Sequence, residues 1–527
     1  MKIKTKSLLS FTLLVLMIVL VGCSSDASEN KEDINKESAD GGELRVALSS
    51  SPPTLDQPTS TATVVRDTAR LLFETLYTND ADYKAVPMLA ESVEISDDNK
   101  EYTFTLRKGV KFHNDKEMTA EDVVASMYRW VEKSSVTADI FDGATFEVED
   151  DYTVKLKLAE PSIHVLDTIA TSKMAAAIMP KEVIESASPT EGVSDYIGTG
   201  PFKFVEWKAD QYIHVTKFDD YQSLEGEVSG LSGKKEALVD DIYFDIVTDA
   251  ATRLAGLQTG LYDVAYSMAY DNYEQLENDP NLNPALDKNG EFLLFYNKTE
   301  GPASNFKIRE AINTALDSDE IMQGTFINED IYWMSPGYMT KSITNWASEE
   351  GSEFYNQNNQ EKAKEILKEI GYNNEEFKIM TTRDFPHFYS AAIIIQEQLK
   401  GIGMNVVVEV YDWPTVMDKQ TSSLGDWDAL IIGSSTVSAP TQLLGLSDSF
   451  GGGVNDDKTE EMLRAIGAST TQEEAKQLWD ELQGYSWEEH LPMTVLGGFN
   501  TLFGSTSEVE GLKTFSGPVF WNTKVTE

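Results

Sequence analysis

Cysteine is almost missing. The 527-residue chain carries it once, at Cys23, so no disulfide can form within it and its fold must be held by packing alone. Histidine is nearly as scarce: His113, His164, His214, His387 and His490 are scattered, none at the spacing of a local metal pair. No metal cage is expected, and no cofactor. Positive charge is short as well, with 43 Lys and Arg against 88 Asp and Glu and a formal net charge of −45. Such a surface repels phosphate backbones and anionic headgroups, which argues against nucleic acid as a partner. The acidity is spread along the chain and reads as solubility rather than as a binding face. The sequence also lacks G-x-S-x-G, H-E-x-x-H, C-x-x-C and the phosphate-cradling G-x-x-x-x-G-K-[ST]. Acid pairs such as Asp240-Asp241 and Asp456-Asp457 are ordinary on so acidic a chain. Nothing nominates a nucleophile, so no enzyme is expected.

Long apolar runs are limited to one, and it lies at the start. Lys2, Lys4 and Lys6 precede an almost unbroken hydrocarbon stretch from Leu8 to Val21, which is short for a membrane span and reads as a secretory signal over residues 1–22. Leu20-Val21-Gly22-Cys23 looks like a bacterial lipobox, in which the thiol is acylated. Two acyl chains on one residue suffice for stable anchoring, where a single chain is marginal. Residues 23–42, including "SSDASENKEDINKESADGG", are polar and charged and predict a flexible tether. Loss of residues 1–22 with their three lysines shifts the formal charge from −45 to −48.

The rest of the chain has 41% hydrophobic and 10% aromatic residues to fill a core, and its length predicts at least two domains. Strand and helix signals alternate along it. "TFTLRKGVKF" (103–112) alternates apolar and polar residues like a half-buried strand, and "TAEDVVASMYRWVEK" (119–133) predicts a helix with Thr119 as N-cap. Strands are expected at 241–249 and 292–297, and helices at 250–260 and 307–323, with Ile308, Ile312, Ala315 and Leu316 on one side of the latter. In "QEKAKEILKEIGY" the residues Ala363, Ile366, Leu367 and Ile370 keep amphipathic helical spacing. Strand 377–381, helix 389–400, strand 404–411, helix 413–421 and strand 427–432 then form a βαβ-like series, pointing to a mixed α/β fold. "GTGPF" (198–202) has glycines but no phosphate-binding lysine and reads as a tight turn opening a strand.

Several long blocks, in order, carry a resemblance. "LAESVEISDDNKEYTFTLRKGVKFHNDKEMTAEDVVASMYRW" (89–130), "IGTGPFKFVEW" (197–207), "LVDDIYFDIVTDAATRLAGLQTGLYDVA" (238–265), "NFKIREAINTALDSDEI" (305–321), "EKAKEILKEIGY" (361–372) and "YDWPTVMDKQTSSLGDWDALIIG" (411–433) resemble the bacterial extracellular solute-binding proteins of family 5. That family includes oligopeptide-, dipeptide-, glutathione- and nickel-binding proteins of ABC importers. The resemblance implies a two-lobed periplasmic-binding-protein-like α/β fold with mixed sheets and a hinge of two crossover strands. Lobe I would span 43–290 plus 497–527, with a subdomain at about 61–190, and lobe II 291–496.

It also implies a function: capture of a peptide or similar small solute by lobe closure, and delivery to an ABC permease and ATPase complex. The protein would act as a monomer, lipid-anchored at the outer face of the cytoplasmic membrane. The alternatives are a receptor for a signalling peptide, or a binder of a glutathione-like compound, metal chelate or oligosaccharide. An exported hydrolase has no motif behind it.

Among site residues, the resemblance marks Trp413 as a pocket-lining indole, against the alternative of lobe-core packing, and Arg383 as a grip for a ligand carboxylate, against a structural salt bridge. Phe385 is a further candidate wall. One position departs from the family pattern: the aspartate that holds a peptide α-ammonium in many relatives falls on Thr436, flanked by Ser434 and Ser435. A hydroxyl cannot neutralise a buried ammonium. "YWMSPGYM" (332–339), with Trp333, Tyr338 and nearby Trp346, reads either as a stacking wall or as ordinary loop packing.

Overall fold

The computed structural model describes residues 41–527, apart from 138–139, 189–191, 422–425, 447–449, 454–455 and 527; the side chain of residue 289 is also outside the description. The expectations for residues 1–40, Cys23 included, lie outside the described residues.

Local sequence accounts for most elements. In the strand Glu101–Leu106 the apolar Tyr102, Phe104 and Leu106 are buried while Glu101 and Thr105 point outward, as period-two alternation requires. The helix Ala120–Lys133 starts where Asp122 accepts a hydrogen bond from the Thr119 backbone N–H at 3.0 Å, and it buries Trp130 completely. Gly198 and Gly200 sit where a Cβ would lie 2.0 Å from the Leu72 carbonyl and 2.3 Å from that of Leu71, so close backbone approach demands glycine at both.

Two expectations need correction. The strand expected over 103–112 ends at Leu106, because the chain turns at Lys108-Gly109, where Gly109 holds φ +75°. The helix expected over 307–323 is two helices, Phe306–Ala315 and Ser318–Phe326. Leu316 turns out of helical geometry at ψ 136°, and Asp317 caps the second helix by accepting from the Glu320 N–H at 3.0 Å. Apolar spacing continues across the break, which is why periodicity alone reads it as one element.

An eleven-stranded mixed sheet runs through the molecule. At one end Glu376–Thr382 pairs in parallel with Asn405–Tyr411 and Ala429–Gly433, with helices Pro386–Gly401 and Trp413–Thr421 as connections. At the other end Glu43–Leu48, Asp241–Ile246, Tyr212–Lys217 and Phe202–Lys208 lie side by side. Two long antiparallel strands, Leu282–Tyr296 and Met493–Thr506, join the ends and make two lobes of one sheet. Their register shifts between Lys288 and Gly290 and again between Phe292 and Leu293, so the ladder is irregular where the chain passes between lobes.

Packing follows the same division. One apolar cluster includes Leu44, Leu72, Phe202, Phe244 and Phe520; a second, including Tyr102, Phe104, Trp130 and Leu156, belongs to a separate four-stranded sheet; the largest is built chiefly from residues 292–499. Among the described residues no helix is long and apolar enough to cross a membrane.

Candidate ligand site between the lobes

A cavity of about 910 Å³ lies between the lobes, at the upper end of the range for small-ligand sites. One wall comes from segments 60–83 and 135–174 and the opposite wall from 435–468; Asp287 and Lys288 of the first crossover strand also line it. Two hydrogen bonds and a ring contact tie the walls together. The Ile163 N–H donates to the Gly467 carbonyl at 3.0 Å, the Tyr83 hydroxyl is hydrogen-bonded to the Thr436 side chain, and the His164 ring packs 5.4 Å from that of Trp346.

The cavity is lined by polar groups that the protein leaves unpaired. Asn79 gives its amide N–H to the Ala170 carbonyl at 3.1 Å, but its Oδ1 has no partner among the described residues. Both ring nitrogens of His164 lack one there too, as do Thr441 Oγ1 and Gln442 Nε2. All these atoms are buried. Each such group costs on the order of 1–3 kcal/mol when nothing bonds to it, and these atoms are closed to the cavity space as well as to bulk water.

Charge is also distributed around the space. Asp287 is buried and accepts from the Gly517 N–H at 2.8 Å; burial pushes its carboxyl up to about 6, against the pull of Arg66. Burial likewise pulls the His164 imidazole down to about 4, so it is neutral at physiological pH. Among the described residues no group of three or more His, Cys, Asp or Glu could hold a metal ion.

Of the residues singled out from sequence, Ser435 and Thr436 line the cavity. Ser434 lies one step earlier, its N–H donating to the Glu291 carbonyl at 2.8 Å. Trp413, Phe385 and Arg383 are not among the lining residues. They gather around the end of strand Glu376–Thr382: the Trp413 ring meets Phe385 edge-on at 5.3 Å, the Trp413 backbone N–H donates to the Asp384 carboxylate at 2.7 Å, and the exposed Arg383 lies 3.9 Å over the Tyr389 ring. Tyr338 and Trp346 are fully buried, which makes them packing residues, while Trp333 pairs with the second crossover strand.

Sequence reasoning missed Asn79, His164, Arg66, Lys173 and Asp287 as cavity residues. Thr441 and Gln442 lie a few residues beyond Thr436 and follow Pro440 directly, so their position was within reach. Asn79 stands in an ordinary strand and carries no signal.

Comparison with known proteins agrees with this geometry. The family described as bacterial extracellular solute-binding proteins, family 5 (middle), matches residues 84–453. The probable peptide ABC transporter periplasmic-binding protein y4tO of Sinorhizobium fredii is 28% identical over 486 residues, covering 89% of this chain and 90% of that protein. The oligopeptide-binding protein AppA of Bacillus subtilis is 27% identical over 471 residues, covering 83% and 82%. Among solved structures, the periplasmic binding protein AgaA from A. tumefaciens R10, in complex with agropinic acid, superposes with a TM-score of 0.76 at 26% identity, over 92% of this chain and 99% of that one. With its two lobes, crossover strands and polar cavity, the chain belongs to the bacterial extracellular solute-binding proteins of family 5.

Proposed function

We propose that the protein is the substrate-binding component of an ABC importer, which captures peptides between its lobes and hands them to a membrane permease powered by an ATPase. The cavity carries the reading. Polar side chains from both walls line it, Asn79, Ser162 and Thr171 on one side and Ser435, Thr436 and Thr441 on the other; they suit the alternating N–H and C=O groups of a peptide backbone, so a ligand is held by both lobes at once. The names of y4tO and AppA point to the same ligand class. Lobe I is assigned to 43–290 plus 497–527 and lobe II to 291–496. Ser435 and Thr436 are assigned as ligand contacts, with Ser434 holding their segment to the crossover strand.

Binding is the whole task in this reading; no bond of the ligand is broken. The chain works as a monomer, anchored through acyl chains on Cys23 at the outer face of the cytoplasmic membrane, which keeps the receptor near its permease. Thermal denaturation with pooled tetrapeptides tests the ligand class, because a ligand that binds only the native state raises its melting temperature. A rise is expected. No rise with peptides of any length from two to nine residues would count against it. Cys23→Ala is expected to release the protein from membranes, and unchanged membrane association would remove the anchor from the account.

A further inference from the structure

We propose that Arg66 and Lys173 form an anion-binding corner of this cavity that takes a ligand carboxylate, from either a peptide C-terminus or an acidic side chain. The inference rests on the reading of the cavity as the ligand site and adds to it the charge of the ligand.

Four observations carry it. First, both side chains line the cavity on the same lobe, and both are largely buried, where charge is costly. Second, the protein balances these charges only in part. Arg66 donates only its Nε to Asp67, at 2.7 Å, leaving both Nη groups without a partner among the described residues. That same Asp67 oxygen is shared with Arg70 Nη2 at 2.9 Å, so one carboxylate serves two guanidinium groups. Lys173 forms no ion pair with any described residue; burial, and then the charge of Arg66, hold its ammonium below the usual range. Asp287 faces Arg66 but is not in ion-pair contact with it, and burial favours its neutral form.

Third, the corner is braced. Lys173 precedes Met174, which holds φ +48°, and the Met174 carbonyl accepts from the Trp130 indole N–H at 2.8 Å and the Ser134 hydroxyl at 3.3 Å. Such a backbone persists only when its surroundings fix it, and here they fix the segment that carries Lys173. Fourth, the setting is unusual for this chain. A buried lysine with no acid partner among the described residues, beside an arginine that shares its one carboxylate, is not a by-product of composition in a protein of net charge −45. A guanidinium with two free Nη groups matches the two oxygens of a carboxylate, and an ammonium beside it adds a third donor.

Native mass spectrometry of the full folded chain tests this with three tetrapeptide pools: free C-terminus without Asp or Glu, C-amidated with Asp or Glu, and C-amidated without them. A fourth probe set is the aliphatic dicarboxylates from succinate to suberate. The expected result is retention of at least one carboxylate-bearing peptide pool and none of the neutral amidated one. Lys173→Met should weaken that retention about ten- to a hundredfold with the melting temperature unchanged. Which pool is retained identifies the source of the carboxylate. Arg66→Gln should act in the same direction, and if it unfolds through loss of Asp67, Lys173→Met decides alone. Retention of the neutral amidated pool, or binding unchanged in Lys173→Met, would overturn the corner and leave the peptide reading standing. Retention of dicarboxylates alone, lost in Lys173→Met, would support the corner and overturn the peptide reading. If no probe is retained, both fall.

Discussion

The Ile163 N–H and the Gly467 carbonyl lie 3.0 Å apart, so a backbone hydrogen bond joins the two segments, around Ser162–His164 and Gly467, that line the cavity from opposite sides. Beside it, the fully buried His164 packs on Trp346 with neither ring nitrogen bonded to the protein. Together with the Tyr83–Thr436 hydrogen bond, this contact must break if the two walls are to part.

Closure is therefore expected to be sensitive to acid. Burial lowers His164 from 6.5 to about 4. A group whose folded value is depressed stabilises the closed native state fully above its unfolded value, and that contribution is lost as pH falls from about 6.5 toward about 4. His113 and His387, lowered to about 4 and about 3 by burial, act in the same sense, so the test is a difference. His164→Phe, which keeps a ring against Trp346, should remove about 1–2 kcal/mol of the stability lost between pH 6.5 and 5, measured by urea denaturation at both values. An identical loss in variant and parent would contradict it.

The crossover itself is predicted to tolerate no side chain at Gly290. This residue holds φ +152° at a register shift, and a Cβ there would stand 1.8 Å from the Ser434 carbonyl. Gly290→Ala should displace the 434–436 segment, costing about 2 kcal/mol or more in stability, and should weaken ligand binding at the same time. Parallel chemical denaturation and calorimetric titration check the pair of effects.

How much of this was legible in the sequence differs by level. The βαβ series after residue 376 follows from apolar runs bounded by turn residues, and the helix Ala120–Lys133 from its Thr119–Asp122 cap, because those signals are local. The break at Leu316–Asp317 was not legible, since one amphipathic stripe crosses it. The cavity was legible least of all. Asn79, His164 and Lys173 become site residues only through long-range pairing that brings segments 60–174 and 435–468 together, and no local pattern marks a polar side chain that will end up unpaired. The sequence features that did draw notice, Trp413 and Phe385, meet each other at the end of a strand instead of lining that space.

Away from the cavity lining, Asp56 and Arg129 form a buried two-pronged ion pair, and Asp56 also accepts from the Val193 N–H at 3.2 Å. Asp56→Ala should cost about 3–5 kcal/mol, because it strands a guanidinium out of water. The double variant Asp56→Leu with Arg129→Met should recover much of that loss, since two apolar groups need no partner. Denaturation midpoints of Asp56→Leu, Arg129→Met and the double variant form the cycle; additive losses would contradict the pairing argument.

In the second lobe, Arg309 is buried without an acid. It donates to the carbonyls of Ala303 at 2.7 Å, Leu491 at 2.9 Å and His490 at 2.6 Å, and so ties the start of its helix to the turn that enters the second crossover strand. Arg309→Met should leave these acceptors unpaired and cost about 3 kcal/mol or more. Lysine, with one compact donor group, should rescue only part of it. Thermal melts of the two variants separate the outcomes.

The central claim is that two lobes trap an unmodified solute between them and release it unchanged. Its most direct test is to purify the protein gently, release whatever it carries by denaturation, identify that compound by mass spectrometry, and titrate it back into refolded protein. The account predicts one peptide per chain, rebinding at one-to-one stoichiometry and recovered with the same mass. A carried compound that returns altered, or a refolded protein that binds none of the peptides offered, would contradict it.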